Sequence, residues 1–221
     1  MIKYFLITIY FLSSLLYAES FDQSKKILKD IYKDHQTTFY CGCNYTYENQ
    51  GIMIDRNSCG YTPRNAITKK GNPNERTRRI EWEHIMPAEN FGKHLPCWKE
   101  GGRKACQSDP VFTKMEADMM NLVPAIGELN GDRSNYRYGA NEPKIGQYGQ
   151  CNFEVDFKAN RAYVRPEIRG DIARVYLYMS KKYNINLSKQ ETQMMEAWDK
   201  LDPIDKWEEA KIKLVRQYQK Q

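Results

Sequence analysis

Histidine is scarce in this sequence: three occur in 221 residues, at positions 35, 84 and 94. A zinc centre built from several imidazoles is disfavoured, and no His-Glu-x-x-His occurs. Also missing are the Gly-x-Ser-x-Gly elbow, the Gly-x4-Gly-Lys-Ser/Thr loop and the Gly-x-Gly-x-x-Gly fingerprint. Their absence disfavours serine hydrolases, nucleoside-triphosphate enzymes and dinucleotide-binding folds. There is no internal repeat and no low-complexity tract, and beyond residue 18 no run is apolar enough to cross a membrane. The six cysteines lack Cys-x2-Cys knuckles, which disfavours a zinc site as their purpose.

What is present begins with residues 1–18, in which Lys3 precedes an apolar run from Tyr4 to Tyr17 ending at Ala18. This predicts a secretory signal peptide cleaved after Ala18, since the run falls short of the ~20 residues of a spanning helix. An uncleaved membrane anchor is the alternative. Residues 19–221 are then read as a single domain. In an exported chain, Cys41, Cys43, Cys59, Cys97, Cys106 and Cys151 predict three disulfides. Six cysteines allow fifteen pairings; Cys97 with Cys106, across a short Gly-rich segment, is a plausible one, leaving four to staple the N-terminal part to the body. The formal net charge of +6, which drops by one if Lys3 is removed, permits a polyanionic partner without demonstrating one.

Hydrophobic periodicity predicts an amphipathic helix from Asp22 to about Gln36, with Ile27, Leu28, Ile31 and Tyr32 on one face. Thr38 to Cys41 reads as a short strand, 60–78 as exposed loop, and Ile80 to Ile85 as a strand running into a turn at Pro87. A loop is expected from Cys97 to Pro110, then a helix over Val111 to Asn121 that carries Glu116 and is ended by Pro124. Residues 125–135 begin a short helix or turn, 136–150 form a long loop, and Phe153 to Phe157 alternates as a strand. The last third is helical: Asp171 to Tyr183, a segment opened by Ser188 with Glu191 at capping-box spacing, and a final helix opened by Asp202 and Pro203. The methionines and tryptophans of these helices are read as core. The fold class is therefore α+β, mostly helical with small β elements and stapled by disulfides.

The chemistry concentrates in Glu81-Trp82-Glu83-His84. A histidine beside a carboxylate can serve as a general base near neutral pH. The carboxylate can instead hold a hard cation, for which an inventory rich in Glu, Asp and Asn suits magnesium or calcium better than zinc. A histidine base, a divalent cation and arginines together point to phosphodiester hydrolysis. A straight strand directs Glu83 and His84 to opposite faces, so one shared site requires a bend or bulge, for which Pro87 is the nearest cause. The basic run Arg76, Arg78 and Arg79 is read either as a solvated charged face or as a surface for nucleic acid.

Four segments, EWEHIMPAENFG, CWKEGGRKAC, MEADMMNLVPAIGELNGDRSN and GQYGQC, follow one another from 81 to 151. In these segments, and further on in GDIARVYLYM, the sequence resembles the bacterial endonuclease I family. Those are exported, disulfide-bonded, magnesium-dependent, sequence-nonspecific nucleases of the ββα-metal, or His-Me finger, class. The resemblance implies that His84 is the general base, that Glu83 and Asn130 are the protein ligands of one Mg²⁺, with Ca²⁺ or Mn²⁺ able to stand in, and that Arg103 clamps the scissile phosphate. It assigns Glu116 and Glu81 to supporting roles in the same site. The implied partners are DNA and also RNA, held through phosphates, and the implied location is the periplasm or the medium, with a monomeric protein. The competing expectations are a catalytically silent secreted DNA-binding module and a calcium-stabilised structural protein.

Overall fold

A computed structural model of the chain describes residues 20–48 and 51–219. The expected signal peptide, residues 1–18, lies outside the described residues. Helix α1 (Phe21–Ile31) is capped by Ser20, whose Oγ accepts from Gln23 N at 3.2 Å, and it buries Ser24, Leu28 and Ile31. It stops five residues earlier than its periodicity predicts. Beyond Tyr32 the chain turns, His35 stacks on Trp207, and Thr37 pairs with Asn44.

The predicted strand over Thr38 to Cys41 is instead a turn that passes through Gly42 at φ +70°, closed by Gly42 N donating to Thr38 O. A hairpin that the sequence does not announce follows, β1 (Tyr45–Glu48) against β2 (Gly51–Ile54), antiparallel. Its strands do alternate in burial, with Tyr45 and Tyr47 inward on β1, but each is only four residues long and lies in a stretch rich in Asn, Gly and Cys, which reads as loop. Cys41–Cys151 ties this region to the body as expected, Cys43–Cys59 instead closes the hairpin region on itself, and Cys97–Cys106 forms as expected.

The strand predicted at the acid and histidine cluster is β3 (Ile80–His84), followed by α2 (Ala88–Gly92) after Pro87. The expected loop over Cys97 to Pro110 is largely helical. Helix α3 (Pro96–Ala105) has Pro96 in its first turn and a kink at Gly101-Gly102, where Gly102 takes φ +64°. Two glycines mask the helical signal, whereas Pro96 at the start and the Cys97–Cys106 bridge support it. Helix α4 (Pro110–Glu116), capped by Asp109, carries Glu116 as predicted but ends there, and an Asp118-capped turn leads on.

Pro124 does not end a helix; it lies inside strand β4 (Leu122–Ile126), which pairs antiparallel with β3 in the register Glu83 to Val123. The proline is tolerated because its carbonyl points away from β3, accepting from Phe39 N at 2.8 Å, so the N–H it lacks belongs to the outer side. Helix α5 (Gly127–Arg133) follows without a loop. The next stretch is mostly loop, as expected, apart from β5 (Arg137–Tyr138). Strands β6 (Phe153–Asp156) and β7 (Arg161–Val164) complete a sheet of order β5-β7-β6.

Three helices close the chain: α6 (Arg169–Tyr183), α7 (Lys189–Leu201) and α8 (Lys206–Tyr218). Ser188 caps α7 as predicted, accepting from Glu191 N at 3.2 Å, but the cap of α8 is Asp205 and not Asp202. Asp202 instead turns back to receive Gly170 N. The main core joins Phe112, Leu129, Phe153, Tyr176, Met195 and Trp198; a second cluster of Leu28, Ile31, Met119, Leu122 and Val215 lies beneath α1. No helix among the described residues is long and apolar enough to cross a membrane.

Candidate active site

The antiparallel pair β3/β4 and helix α5 form the scaffold of the site. Alternation along β3 sends Ile80, Trp82 and His84 to one face and Glu81 and Glu83 to the other. Trp82 packs edge-on against Tyr32 in the cluster under α1, and His84 lies against Phe21 at 5.0 Å between ring centroids. The Glu81 and Glu83 face meets α5, where Asn130 and Arg133, three residues apart, lie on one side of the helix.

On the α5 face, Glu83 is buried and its Oε1 accepts from Tyr40 Oη at 2.7 Å and from Arg133 Nη1 at 3.0 Å. Burial raises the Glu83 carboxyl above its usual range, and the Arg133 charge opposes that shift. Glu81 accepts from Arg76, Arg79 and, at 2.9 Å through Oε2, from Asn130 Nδ2. These contacts leave Glu83 Oε2 and Asn130 Oδ1 without a protein partner among the described residues. Neither oxygen is among the fully buried, partnerless side-chain atoms of the described residues, which are Tyr45 Oη, Arg133 Nε and Tyr176 Oη. Among the described residues no cluster of three His, Cys, Asp or Glu could cage a metal. A carboxylate oxygen and an amide oxygen suit a hard cation that retains several waters, and they fit magnesium.

On the opposite face, His84 Nε2 lies 2.8 Å from the carbonyl oxygen of Glu116. A carbonyl only accepts, so Nε2 carries the proton and Nδ1 presents a lone pair. Burial, reinforced by the charges of Arg103 and Arg133, lowers the imidazole pKa to about 3 against the pull of the Glu116 carbonyl, so the ring is neutral. Arg103, half-exposed on α3 after the Gly102 kink, donates through Nε to Glu116 Oε1 at 2.6 Å. Its two terminal nitrogens have no hydrogen bond among the described residues, and the guanidinium lies over the Phe21 ring at 5.6 Å.

Arg133 joins the two faces. Fully buried, it donates from Nη1 to Glu83 Oε1 and to His84 O at 2.9 Å, and from Nη2 to Ile85 O at 2.6 Å. Successive carbonyls of a regular strand point in opposite directions, yet those of His84 and Ile85 converge on one guanidinium. Ile85 N still bonds to Asn121 O across the β3/β4 pair, so the chain leaves strand geometry at Ile85 itself. A bend therefore follows β3 at Ile85, two residues before Pro87, held by Arg133, but the β3/β4 ladder is regular through His84, so Glu83 and His84 keep opposite faces and no bend or bulge lies between them.

The sequence-predicted residues form two groups on opposite faces of β3, Glu81, Glu83 and Asn130 on one and His84, Glu116 and Arg103 on the other, linked by Arg133 through the Glu83 carboxylate and the His84 backbone carbonyl. Arg133, Tyr40 and Phe21 were not anticipated. Arg133 sits within the segment ELNGDRSN at helical spacing from Asn130, a signal that was available; Tyr40 and Phe21 lie 43 and 63 positions away along the chain from the residues they touch and carry none. In the basic run, Arg76 and Arg79 pair with Glu81 while remaining partly exposed, and Arg78 is exposed.

Comparison with known proteins identifies the family. The family model described as Endonuclease I matches residues 17–221. The chain is 48% identical over 194 residues to a periplasmic deoxyribonuclease of Aeromonas hydrophila, covering 86% of this chain and 78% of that protein. It is 46% identical over 197 residues to Endonuclease-1 of Buchnera aphidicola, covering 89% and 76%, and 34% identical over 200 residues to an extracellular endonuclease of Pseudomonas fluorescens, covering 89% and 81%. With the family model matching residues 17–221 and relatives up to 48% identical over most of its length, the chain belongs to the endonuclease I family.

Proposed function

We propose that this protein is an exported endonuclease that hydrolyses the phosphodiester bonds of DNA without sequence preference, and of RNA through the same phosphate contacts. It acts as a monomeric domain over residues 19–221, in the periplasm or the medium, and leaves 5′-phosphate ends. The observation that carries this reading is the committed tautomer of His84. With Nε2 engaged by the Glu116 carbonyl, Nδ1 is free to take a proton.

In this reading His84 Nδ1 accepts the proton of a water whose oxygen forms a bond to phosphorus as the bond to the 3′-oxygen breaks. Arg103 holds the phosphate with its unpaired fork, and Glu116 fixes Arg103 by its side chain and His84 by its carbonyl. Glu83 Oε2 and Asn130 Oδ1 would hold one Mg²⁺, with Ca²⁺ or Mn²⁺ in its place, and Glu81 supports Asn130. Such a cation, when bound, supplies Lewis-acid stabilisation of charge on the phosphoryl and departing oxygens. Contacts to phosphate alone carry no sequence information, which supports nonspecific cleavage. The β3, β4 and α5 succession supports assignment to the ββα-metal class.

Digestion of plasmid DNA and of RNA in Mg²⁺, in EDTA, and by the His84→Ala variant tests the proposal. Loss of a proton acceptor is expected to slow cleavage roughly 10²- to 10⁴-fold. Undiminished cleavage by His84→Ala would overturn the mechanism, and absence of cleavage by the unmodified protein would favour a binding module.

A further inference from the structure

An asparagine ligand has a weakness that a carboxylate lacks: half a turn about its last torsion replaces the oxygen with an NH2 group. Asn130 is held against that half-turn. Its Nδ2 donates at 2.9 Å to Glu81 Oε2, and a carboxylate can only accept, so the bond fixes which end of the amide faces Glu81 and leaves Oδ1 turned away. Glu81 is itself fixed. Arg76 grips it with Nε to Oε1 at 3.1 Å and Nη2 to Oε2 at 2.6 Å, and Arg79 adds Nε and Nη2 to Oε1 at 2.8 and 2.5 Å.

The remainder of the local structure is arranged around this grip. Arg76 sits in a short turn, Glu75–Thr77, capped by Asn74, and the chain before it is anchored to α5: Glu128 accepts from Tyr61 Oη, Arg64 N and Asn65 N, while Asp132 takes the Arg64 guanidinium. Two helical positions facing the pair are glycine. A methyl group at Gly131 would overlap the guanidinium of Arg76, and one at Gly127 would come within 2.9 Å of Glu81 Oε1 and of the Arg76 carbonyl. Glycine disfavours helix relative to alanine, so two in a seven-residue helix mark a close approach that the site requires.

We propose that Arg76 and Glu81 are a positioning pair that locks the Asn130 amide with Oδ1 presented to the cation, and that Gly127 and Gly131 are glycine to admit it. This rests on the reading of Glu83 and Asn130 as cation ligands given above. Arg76 and Glu81 act through Asn130, the one proposed ligand that Glu81 contacts.

The test is calorimetric titration of Mg²⁺ and of Mn²⁺ into the DNA-free, disulfide-intact protein, comparing the parent with Glu83→Ala, Glu81→Ala, Arg76→Ala, Arg76→Lys and Gly131→Ala, with thermal unfolding recorded in EDTA for each. Supporting partners of metal ligands typically tune affinity by 10- to 100-fold, so Glu81→Ala and Arg76→Ala are expected to weaken cation binding by about that factor. Arg76→Lys should recover part of it. Gly131→Ala separates positioning from folding: it should hold or raise the unfolding temperature, since alanine favours the helix, while weakening cation binding. Combined with Arg76→Ala, it should add no further loss. Cation binding at parental affinity in both Glu81→Ala and Gly131→Ala, with Glu83→Ala abolishing it, would overturn the positioning pair and leave the ligand reading intact. Equal binding by the parent and Glu83→Ala would overturn the ligand reading, and the pair with it.

Discussion

Replacing Arg133 by methionine should expose how much of the site depends on one buried guanidinium. Methionine keeps much of the side chain's length and fills irregular space, so the change is chiefly one of charge and hydrogen bonding. It leaves the Glu83 carboxylate, 4% exposed, without its ion-pair partner, and it strips the carbonyls of His84 and Ile85 of their Arg133 donors. Breaking one side of a buried pair costs about 3–5 kcal/mol. Ile85 O keeps a longer bond from Tyr138 Oη at 3.3 Å, so the carbonyls add only ~1 kcal/mol more. The total, about 4–6 kcal/mol, is a large share of the 5–15 kcal/mol that typically separates folded from unfolded domains.

Guanidinium unfolding in EDTA, followed by tryptophan fluorescence with the disulfides intact, measures this loss directly. Two further readouts belong to the argument. Adding Glu83→Gln to Arg133→Met removes the stranded charge and should restore roughly 2 kcal/mol. Without Arg133, the burial that already raises the Glu83 carboxyl acts unopposed. A carboxyl raised in the folded state loses stability as pH rises through its unfolded value near 4.5, so the deficit of Arg133→Met should be larger at pH 8 than at pH 5. A loss under ~1 kcal/mol at pH 8, or no recovery in the double variant, would refute the account of Arg133 as the clamp of this bend.

Other consequences can be checked in the same preparations. Arg103→Lys keeps the charge but loses the fork and the Nε bond to Glu116, and cleavage should fall roughly 10- to 100-fold, the worth of one charge-assisted hydrogen bond, with little change in unfolding temperature. Removing Cys41–Cys151, which closes 110 residues, should cost ~4–5 kcal/mol of stability, against ~2–3 for Cys97–Cys106, which closes nine. The second variant should nonetheless lose more activity, because that bridge holds the helix bearing Arg103; the reverse ranking in a nuclease assay would count against it. His84, depressed to about 3 from 6.5, binds its proton more readily when the chain unfolds. Its contribution to stability is therefore complete above pH 6.5 and declines as pH falls towards 3, by up to ~1.4 kcal/mol per unit, a slope that unfolding titrations should find flattened in His84→Ala.

Local chemistry made much of this protein legible from its residues alone. The strand carrying Glu81, Glu83 and His84 follows from alternation, the short helix bearing Glu116 from apolar spacing, and the Ser188 cap from a hydroxyl three residues before Glu191. Linked motifs located Arg103 and Asn130, and six cysteines in an expected exported chain predicted three bridges. Partners distant in sequence were not legible. Strand β4 was hidden because a proline is forbidden only on the bonded side of a ladder, and which side faces Phe39 is settled by packing. Helix α3 was hidden because two glycines lower local propensity while a disulfide and a proline at its start offset them. The bend after His84, the tautomer fixed by a carbonyl 32 residues away, and the pairing of Tyr40 and Arg133 with Glu83 depend on contacts between segments, on which periodicity along the chain is silent. Sequence determined which groups are available to the proposed site; tertiary structure decided which atom of each is left free, because hydrogen bonds from remote residues occupy the others.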